Sequence, residues 1–336
     1  MGLYFSHPSS LEHDTGAHPE NASRLRAIEA ALGEAGWPGL ERIEAPAATR
    51  EQLARVHAPE HIDAIERFAA SGGGMLDVDT IMSERSFEAA LHAAGGAVNA
   101  VERLLAGEDR FALCALRPPG HHAEAARAMG FCLFNNVAVG AAHAIRAGGV
   151  ERVLVLDWDV HHGNGTEAIF ADSDEVLYAS IHQWPLYPGT GPVDYVGVGA
   201  GEGYTVNLPV PPGSGSETFL SLVQHVVAPI AREYRPGLLA ISAGYDAHRD
   251  DPLADCMVDT EGYAHMTATL RALAVELDVP VLVCLEGGYD LGALSASVVA
   301  TVEALGSDTA APEAPREPAV SFAERHRGRW AALSTA

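Results

Sequence analysis

Four short runs along the chain are almost wholly apolar: Phe111 to Leu116 (FALCAL), Val153 to Leu156 (VLVL), Leu238 to Ser242 (LLAIS) and Val281 to Leu285 (VLVCL). Runs of this length without alternation suit strands buried on both faces of a parallel sheet. Ala-rich helical text surrounds them, and Ser86 to Ala106, Val137 to Ala147 and Gly262 to Leu277 fit crossover helices. Strand and helix patterns alternate with no Pro/Ser-rich linker, which predicts an α/β fold: one three-layer αβα domain around a mainly parallel central sheet. The expected catalytic unit is residues 1–306 of the 336, followed by a tail over 307–336. In that tail, Ser307 to Pro318 is rich in Ala, Pro, Glu and Asp and is expected to be loose, with room for a short terminal helix after it. No window has the apolar length of a membrane span, and Met1–Gly2 runs into the first strand without a signal peptide, so a cytoplasmic, membrane-free protein is expected.

Each apolar run ends in chemistry. Val153–Leu156 is followed within six residues by Asp157, Asp159, His161 and His162. FALCAL leads to His121 and His122, LLAIS to Asp246, and VLVCL to Gly287, Gly288 and Tyr289. Open α/β sheets carry their sites at the carboxyl ends of strands, so four such strands side by side would bring these groups to one rim. Ionisable groups at a buried strand end are costly unless paired or metal-bound. Asp159 and His161 are two apart, and on extended backbone their side chains point the same way. With Asp246 they form a two-oxygen, one-nitrogen set with a position left open, as in catalytic zinc sites.

Six ordered motifs carry a family resemblance: RPPGHHAE (Arg117 to Glu124), GFCLFNN (Gly130 to Asn136), DWDVHHGNGT (Asp157 to Thr166), PGTG (Pro188 to Gly191), SAGYDAHRDDPL (Ser242 to Leu253) and LEGGYDL (Leu285 to Leu291). Together with HDTGAHPENASRL (His13 to Leu25), they resemble the zinc-dependent histone deacetylases, in the class II-like branch with its bacterial deacetylases and acetylpolyamine amidohydrolases. The resemblance implies the arginase/deacetylase fold, one zinc on Asp159, His161 and Asp246, and a hydrolase that removes acetyl or short acyl groups from lysine or related amines. It implies His122 as general base and acid, His121 as an electrostatic partner, Asp157 and Asn164 as their orienting groups, and Tyr289 as the oxyanion donor. Phe131 and Tyr187 match the walls of an acyl-lysine tunnel, Gly130 a substrate-binding carbonyl and Leu253 a rim position. The second wall is usually Phe, and class I relatives carry Asp where Asn164 stands. Asp79 or Thr80 falls near a rim loop that can bind substrate backbone, and His13 and His18 lie in a loop that borders the pocket. Potassium is implied at two sites: Asp157, Asp159, His161 and Ser180, and Phe170, Ser173, Val176 and Tyr204.

The formal charge is −24 and no lysine occurs, so all 21 Lys-or-Arg positions are arginine. Such an acidic surface disfavours nucleic acid and favours cationic substrates, whether lysine-rich peptides or polyamines. The four cysteines, Cys114, Cys132, Cys256 and Cys284, have no C-x-x-C spacing, which fits free thiols in a reducing cytoplasm. An arginase-like binuclear manganese ureohydrolase shares the fold but needs further bridging carboxylates. His162, Gly163, Ala247 and His248 stand where these would be sought. A non-catalytic acyl-lysine binding module would have lost a ligand, the histidine pair or Tyr289, and all are present.

Overall fold

In the computed structural model, which describes residues 2–334, the four apolar runs form the middle of an eight-stranded sheet. Its strands are β1 (Gly2–Ser6), β2 (Leu40–Glu44), β5 (Phe111–Cys114), β6 (Val153–Asp157), β7 (Val176–Gln183), β8 (Thr205–Val210), β9 (Leu238–Ala243) and β10 (Val281–Leu285). The remaining two, β3 (Gly73–Met75) and β4 (Ile81–Ser83), make a small antiparallel hairpin apart from it. The sheet order is β2-β1-β5-β10-β9-β6-β7-β8, and every neighbouring pair is parallel. The strands read from the sequence, β5, β10, β9 and β6, are therefore contiguous. Their register aligns Cys114 with Cys284, Cys284 with Ser242, Ser242 with Asp157, and Asp157 with Ser180. The loops that leave this row carry the polar residues.

Alternate residues feed two cores, which is why the runs lack polar positions. Leu154, Leu156, Leu239, Ile241, Val281 and Val283 pack on one face with Leu25 and Ile28, Leu270 and Leu273, and Val298 and Val302. These partners come from helices Ser23–Glu34, Thr260–Leu277 and Leu291–Gly306. Val153, Val155, Ala240, Leu282 and Cys284 face the other way, against Ala97 and Val101 of helix Ser86–Leu105 and Val137 and Ala141 of helix Asn136–Arg146. Burying each large aliphatic side chain contributes about 1.5–3 kcal/mol, so both layers are strongly specified.

Two expectations need correction. FALCAL is a strand only as far as Cys114; Ala115 and Leu116 stay buried but begin the loop to the histidines. The segment expected to be loose is seated on the body. Gln224 donates to Pro312 O at 2.8 Å and accepts from Ala314 N at 2.9 Å, and Ser221 donates to Pro315 O at 2.6 Å. Beyond it, helix Glu317–His326 buries Ala319, while Trp330 and Leu333 join the larger core and Trp330 donates to Gly203 O at 3.1 Å. Small apolar residues in a polar-looking tail found pockets that its composition did not announce. Among the described residues, no helix is long and apolar enough to cross a membrane.

Candidate active site

At the carboxyl ends of β6 and β9, Asp159, His161 and Asp246 bring one potential ligand atom each within 4.8 Å of one another. His161 Nδ1 lies 3.1 Å from Asp159 Oδ1 and 3.1 Å from Asp246 Oδ2. Bonds of about 2.0–2.2 Å put two ligands of a tetrahedral zinc roughly 3.3–3.5 Å apart, so the spacing fits that ion. The carboxylates are aimed by backbone amides: Asp246 Oδ1 accepts from Val160 N, Asp159 Oδ1 from His161 N and Asp159 Oδ2 from Gly287 N, at 2.8–2.9 Å. Both carboxylates are essentially inaccessible to water. Two buried acids beside one imidazole favour a cation strongly, and despite burial they lift the His161 pKa to about 10. Among the described residues this is the one group of three or more such ligands, and no second carboxylate cluster for a binuclear centre accompanies it.

His121 and His122 sit beside the triad with ring centroids 4.0 Å apart, yet their environments separate them. Burial opposes charge on His121, but the Asp157 and Asp159 carboxylates outweigh it and raise its pKa well above the usual value. Its Nδ1 meets Asp157 Oδ2 at 3.0 Å, and Tyr178 donates to the same oxygen at 3.0 Å. Burial, then the neighbouring imidazoles of His121 and His161, push His122 well below the usual value. Asn164 fixes the tautomer of His122. The Asn164 Nδ2 donates to Glu124 Oε1 at 2.8 Å, which turns Oδ1 toward His122 Nδ1, also at 2.8 Å. His122 Nδ1 must then carry the proton, and the Nε2 lone pair is left as a base.

A cavity of about 230 Å³ opens over these groups. Phe131, Tyr187, Leu253, Gly130 and Tyr289 line it with Asp79. Tyr187 stands edge-on to His122 at 5.2 Å, and Phe131 stands edge-on to Tyr289 at 5.9 Å. Thr80 is buried, its Oγ1 accepting from Phe131 N at 3.2 Å and donating to Asp79 Oδ1 at 3.2 Å, and Asp79 is the member of that pair at the cavity. His18 stacks edge-on against Phe131 at 4.4 Å, whereas His13 lies away from the cavity, bonded to Ser86 Oγ at 2.6 Å. Of the residues in the first set suggested for potassium, Asp157 and Ser180 are aligned across β6 and β7. The second surrounds the turn after helix Asn164–Phe170, where Ser173 N donates to Phe170 O and Tyr178 N to Tyr204 O.

Five buried charged residues escaped sequence reasoning. Glu20 pairs with Arg24 at 3.2 Å and with Arg117, whose guanidinium also reaches Ser10 O. Arg24 donates to Gly288 O at 2.7 Å and to Glu286 O, with its guanidinium 5.1 Å from the Tyr289 ring. Glu286 Oε2 accepts from Gly120 N and His121 N at 2.6 and 3.1 Å, bracing the histidine loop. Burial raises the pKa of Glu286 to about 7. Asp251 similarly holds the Tyr289 loop. A signal existed in the quoted motifs, since EGG and DDP place acids where a plain turn needs none.

A model of the histone deacetylase domain matches residues 18–305. The chain belongs to the histone deacetylase family. A probable deacetylase of Archaeoglobus fulgidus is 40% identical, covering 94% of this chain and 89% of that protein. Histone deacetylase 15 of Arabidopsis thaliana is 43% identical over 91% of this chain, which spans 56% of that longer protein. The histone deacetylase-like amidohydrolase of Pseudomonas aeruginosa is 37% identical over 91% of this chain and 81% of that one. The crystal structure of the HDA15 HD domain superposes with a TM-score of 0.91 at 39% identity, covering 99% of this chain and 97% of that one. This histone deacetylase family member is thus an enzyme of the deacetylase class with an arginase/deacetylase-like fold.

Proposed function

We propose that the enzyme hydrolyses acetyl and short acyl groups from lysine side chains of proteins or peptides, with one zinc on Asp159, His161 and Asp246. The observation that carries the substrate class is the mouth of the cavity, where Leu253, Phe131 and Tyr187 offer apolar walls to a methylene stem. Zinc supplies Lewis acidity toward the acyl carbonyl and a water molecule. His122, neutral with Nε2 free, takes the proton from the attacking water and returns it to the departing amine. Charged His121 stabilises the negative charge that develops beside it. Burial holds the Tyr289 phenol well above its usual pKa, so its hydroxyl stays protonated and donates to the oxyanion. Potassium on the first carbonyl set would offset the carboxylates, and the second set is the weaker site. Four free, buried cysteines fit a reducing cytoplasm.

The test is kcat/KM for acetyl-lysine peptides against acetylated spermidine and putrescine at matched ionic strength, with Leu253→Glu alongside. Peptides are expected to be preferred by the natural enzyme, and only the variant should move toward polyamines. A preference of the natural enzyme for acetylpolyamines overturns the substrate class. Metal analysis showing two manganese ions per chain overturns the metal assignment.

A further inference from the structure

Tyr289 sits on a short irregular segment between β10 and helix Leu291–Gly306, directly after Gly287 and Gly288. Gly288 has φ +116, so this backbone is free to take conformations closed to other residues. A hydroxyl that must meet one developing oxygen needs its Cα held from outside such a hinge. Asp251 does this from the loop that follows Asp246. Its Oδ2 accepts from Tyr289 N at 2.6 Å and from Asp290 N at 3.3 Å. Its Oδ1 accepts from Leu253 N at 3.0 Å. Asp290 in turn caps helix Leu291–Gly306, its Oδ1 accepting from Ala293 N at 2.8 Å.

Asp251 is 7% exposed and, among the described residues, has no side-chain cation within ion-pair distance. An acid buried without a cation is costly unless its acceptors are filled, and here three main-chain N–H groups fill them beside the start of a long helix. Arg24 holds the other side of the segment through Gly288 O, and its guanidinium faces the Tyr289 ring. The tyrosine is thus gripped from two directions, and Asp251 is the grip that also reaches the rim.

We propose that Asp251 is a positioning residue: by clamping the main chain of Tyr289 and of Leu253 with one carboxylate, it fixes the oxyanion-donating hydroxyl relative to the mouth of the substrate tunnel. This rests on the deacetylase reading, in which the Tyr289 hydroxyl meets the reacting acyl group. Asp251→Asn is the informative substitution. It keeps shape but turns an NH₂ toward N–H donors, so either the Tyr289 side or the Leu253 side of the clamp must open.

The experiment is a double-mutant cycle on zinc-loaded enzyme, with Asp251→Asn made in the natural background and in Tyr289→Phe, using an acetyl-lysine peptide and measuring zinc content for all four proteins. A displacement near 1 Å of a catalytic group lowers turnover by about 10- to 100-fold, the loss expected in the natural background. With the hydroxyl already gone, the same substitution should cost no more than about three-fold. Equal losses in both backgrounds, no loss in the natural one, or a parallel loss of zinc overturns the proposal. Hydrogen exchange gives a readout that needs no turnover. The Tyr289, Asp290 and Leu253 amides should be protected in the natural protein, and those on the side of the clamp that opens should exchange at least about ten-fold faster in Asp251→Asn, the equivalent of one hydrogen bond. Unprotected amides in the natural protein overturn the clamp even if the variant does not fold. A natural enzyme that fails to hydrolyse the peptide counts against the deacetylase reading, and the exchange measurement still decides the clamp.

Discussion

Gly287→Ala isolates the space around the ligand carboxylates. Gly287 is not among the glycines with positive φ, so alanine meets no backbone penalty there and any effect must come from its Cβ. That atom would stand 2.0 Å from Asp246 Oδ2 and 2.6 Å from Asp159 Oδ2. Real Cβ atoms essentially never approach closer than 3.0 Å, so Asp246 or the segment must retreat by about 1 Å. Neither is free to do so cheaply, because Asp246 also accepts from Val160 N and Gly287 N itself donates to Asp159 Oδ2. Disturbing the shell that orients metal ligands typically lowers affinity by about 10- to 100-fold, and a ligand moved by about 1 Å belongs at the upper end. Turnover at saturating zinc should fall by about 100-fold as well. Zinc affinity is measured by competition with a chromophoric chelator, turnover on an acetyl-lysine peptide, and folding by thermal melting. Gly292→Ala is the control. It lies in the first turn of the following helix, its added Cβ finds Asp290 Oδ1 at an ordinary 3.4 Å, and it should be neutral or stabilising by up to about 1 kcal/mol. A Gly287→Ala protein with natural zinc affinity and turnover would refute this account of the site.

Tyr289→Phe should keep zinc and fold while losing about 100- to 1,000-fold in turnover, as removal of one oxyanion donor does, and near-natural turnover would remove Tyr289 from that role. Acid should destabilise the protein through histidines buried in the neutral form. Burial, reinforced by neighbouring His61 and His162, lowers His57 and His182 each to about 3, and burial lowers His326 to about 4. Below pH 6.5 the unfolded chain takes up protons that these native imidazoles refuse, so stability is intact above that value and declines as pH falls toward their folded values. At pH 5 the cost is about 2 kcal/mol for each such group. His57 shows the structural reason, since its Nε2 accepts from Asn135 N at 2.9 Å and cannot do so once protonated. Glu286, raised to about 7 by burial, works in the opposite direction as it protonates, so the histidine contribution is read by comparison. Between pH 7 and pH 5, His57→Gln should lose about 2 kcal/mol less stability than the natural protein, and parallel losses would contradict this.

The legible part of the fold was the part buried on both faces. β5, β6, β9 and β10 announce themselves because neither face tolerates a polar residue, and their ends then display the ligands. β7 (VLYASIHQ) hides because Ser180 and His182 interrupt its apolar run, their buried side chains satisfying each other inside the strand, where Ser180 Oγ meets His182 Nδ1 at 3.0 Å. β2 (LERIE) is an edge strand with exposed positions, and its polar text gives no signal. The candidate metal triad was readable because two of its members follow one strand end closely and the third follows another. Glu20 was not, since its partner Arg117 is 97 residues away and only folding sets them together. Asp251 was quoted within a motif, but what it holds, the amide of Tyr289, lies 38 residues on.

The straight register across β5, β10, β9 and β6 has a practical consequence. A slip of one residue between parallel strands turns every side chain to the opposite face and moves the loop at its end by about 3.3 Å. Histidine pair, ligands and tyrosine leave different strands of this row, so no mispaired sheet retains a partly competent centre. Specific activity after refolding therefore counts correctly paired molecules one by one, and a chain recovered at half the original activity is half native rather than uniformly impaired.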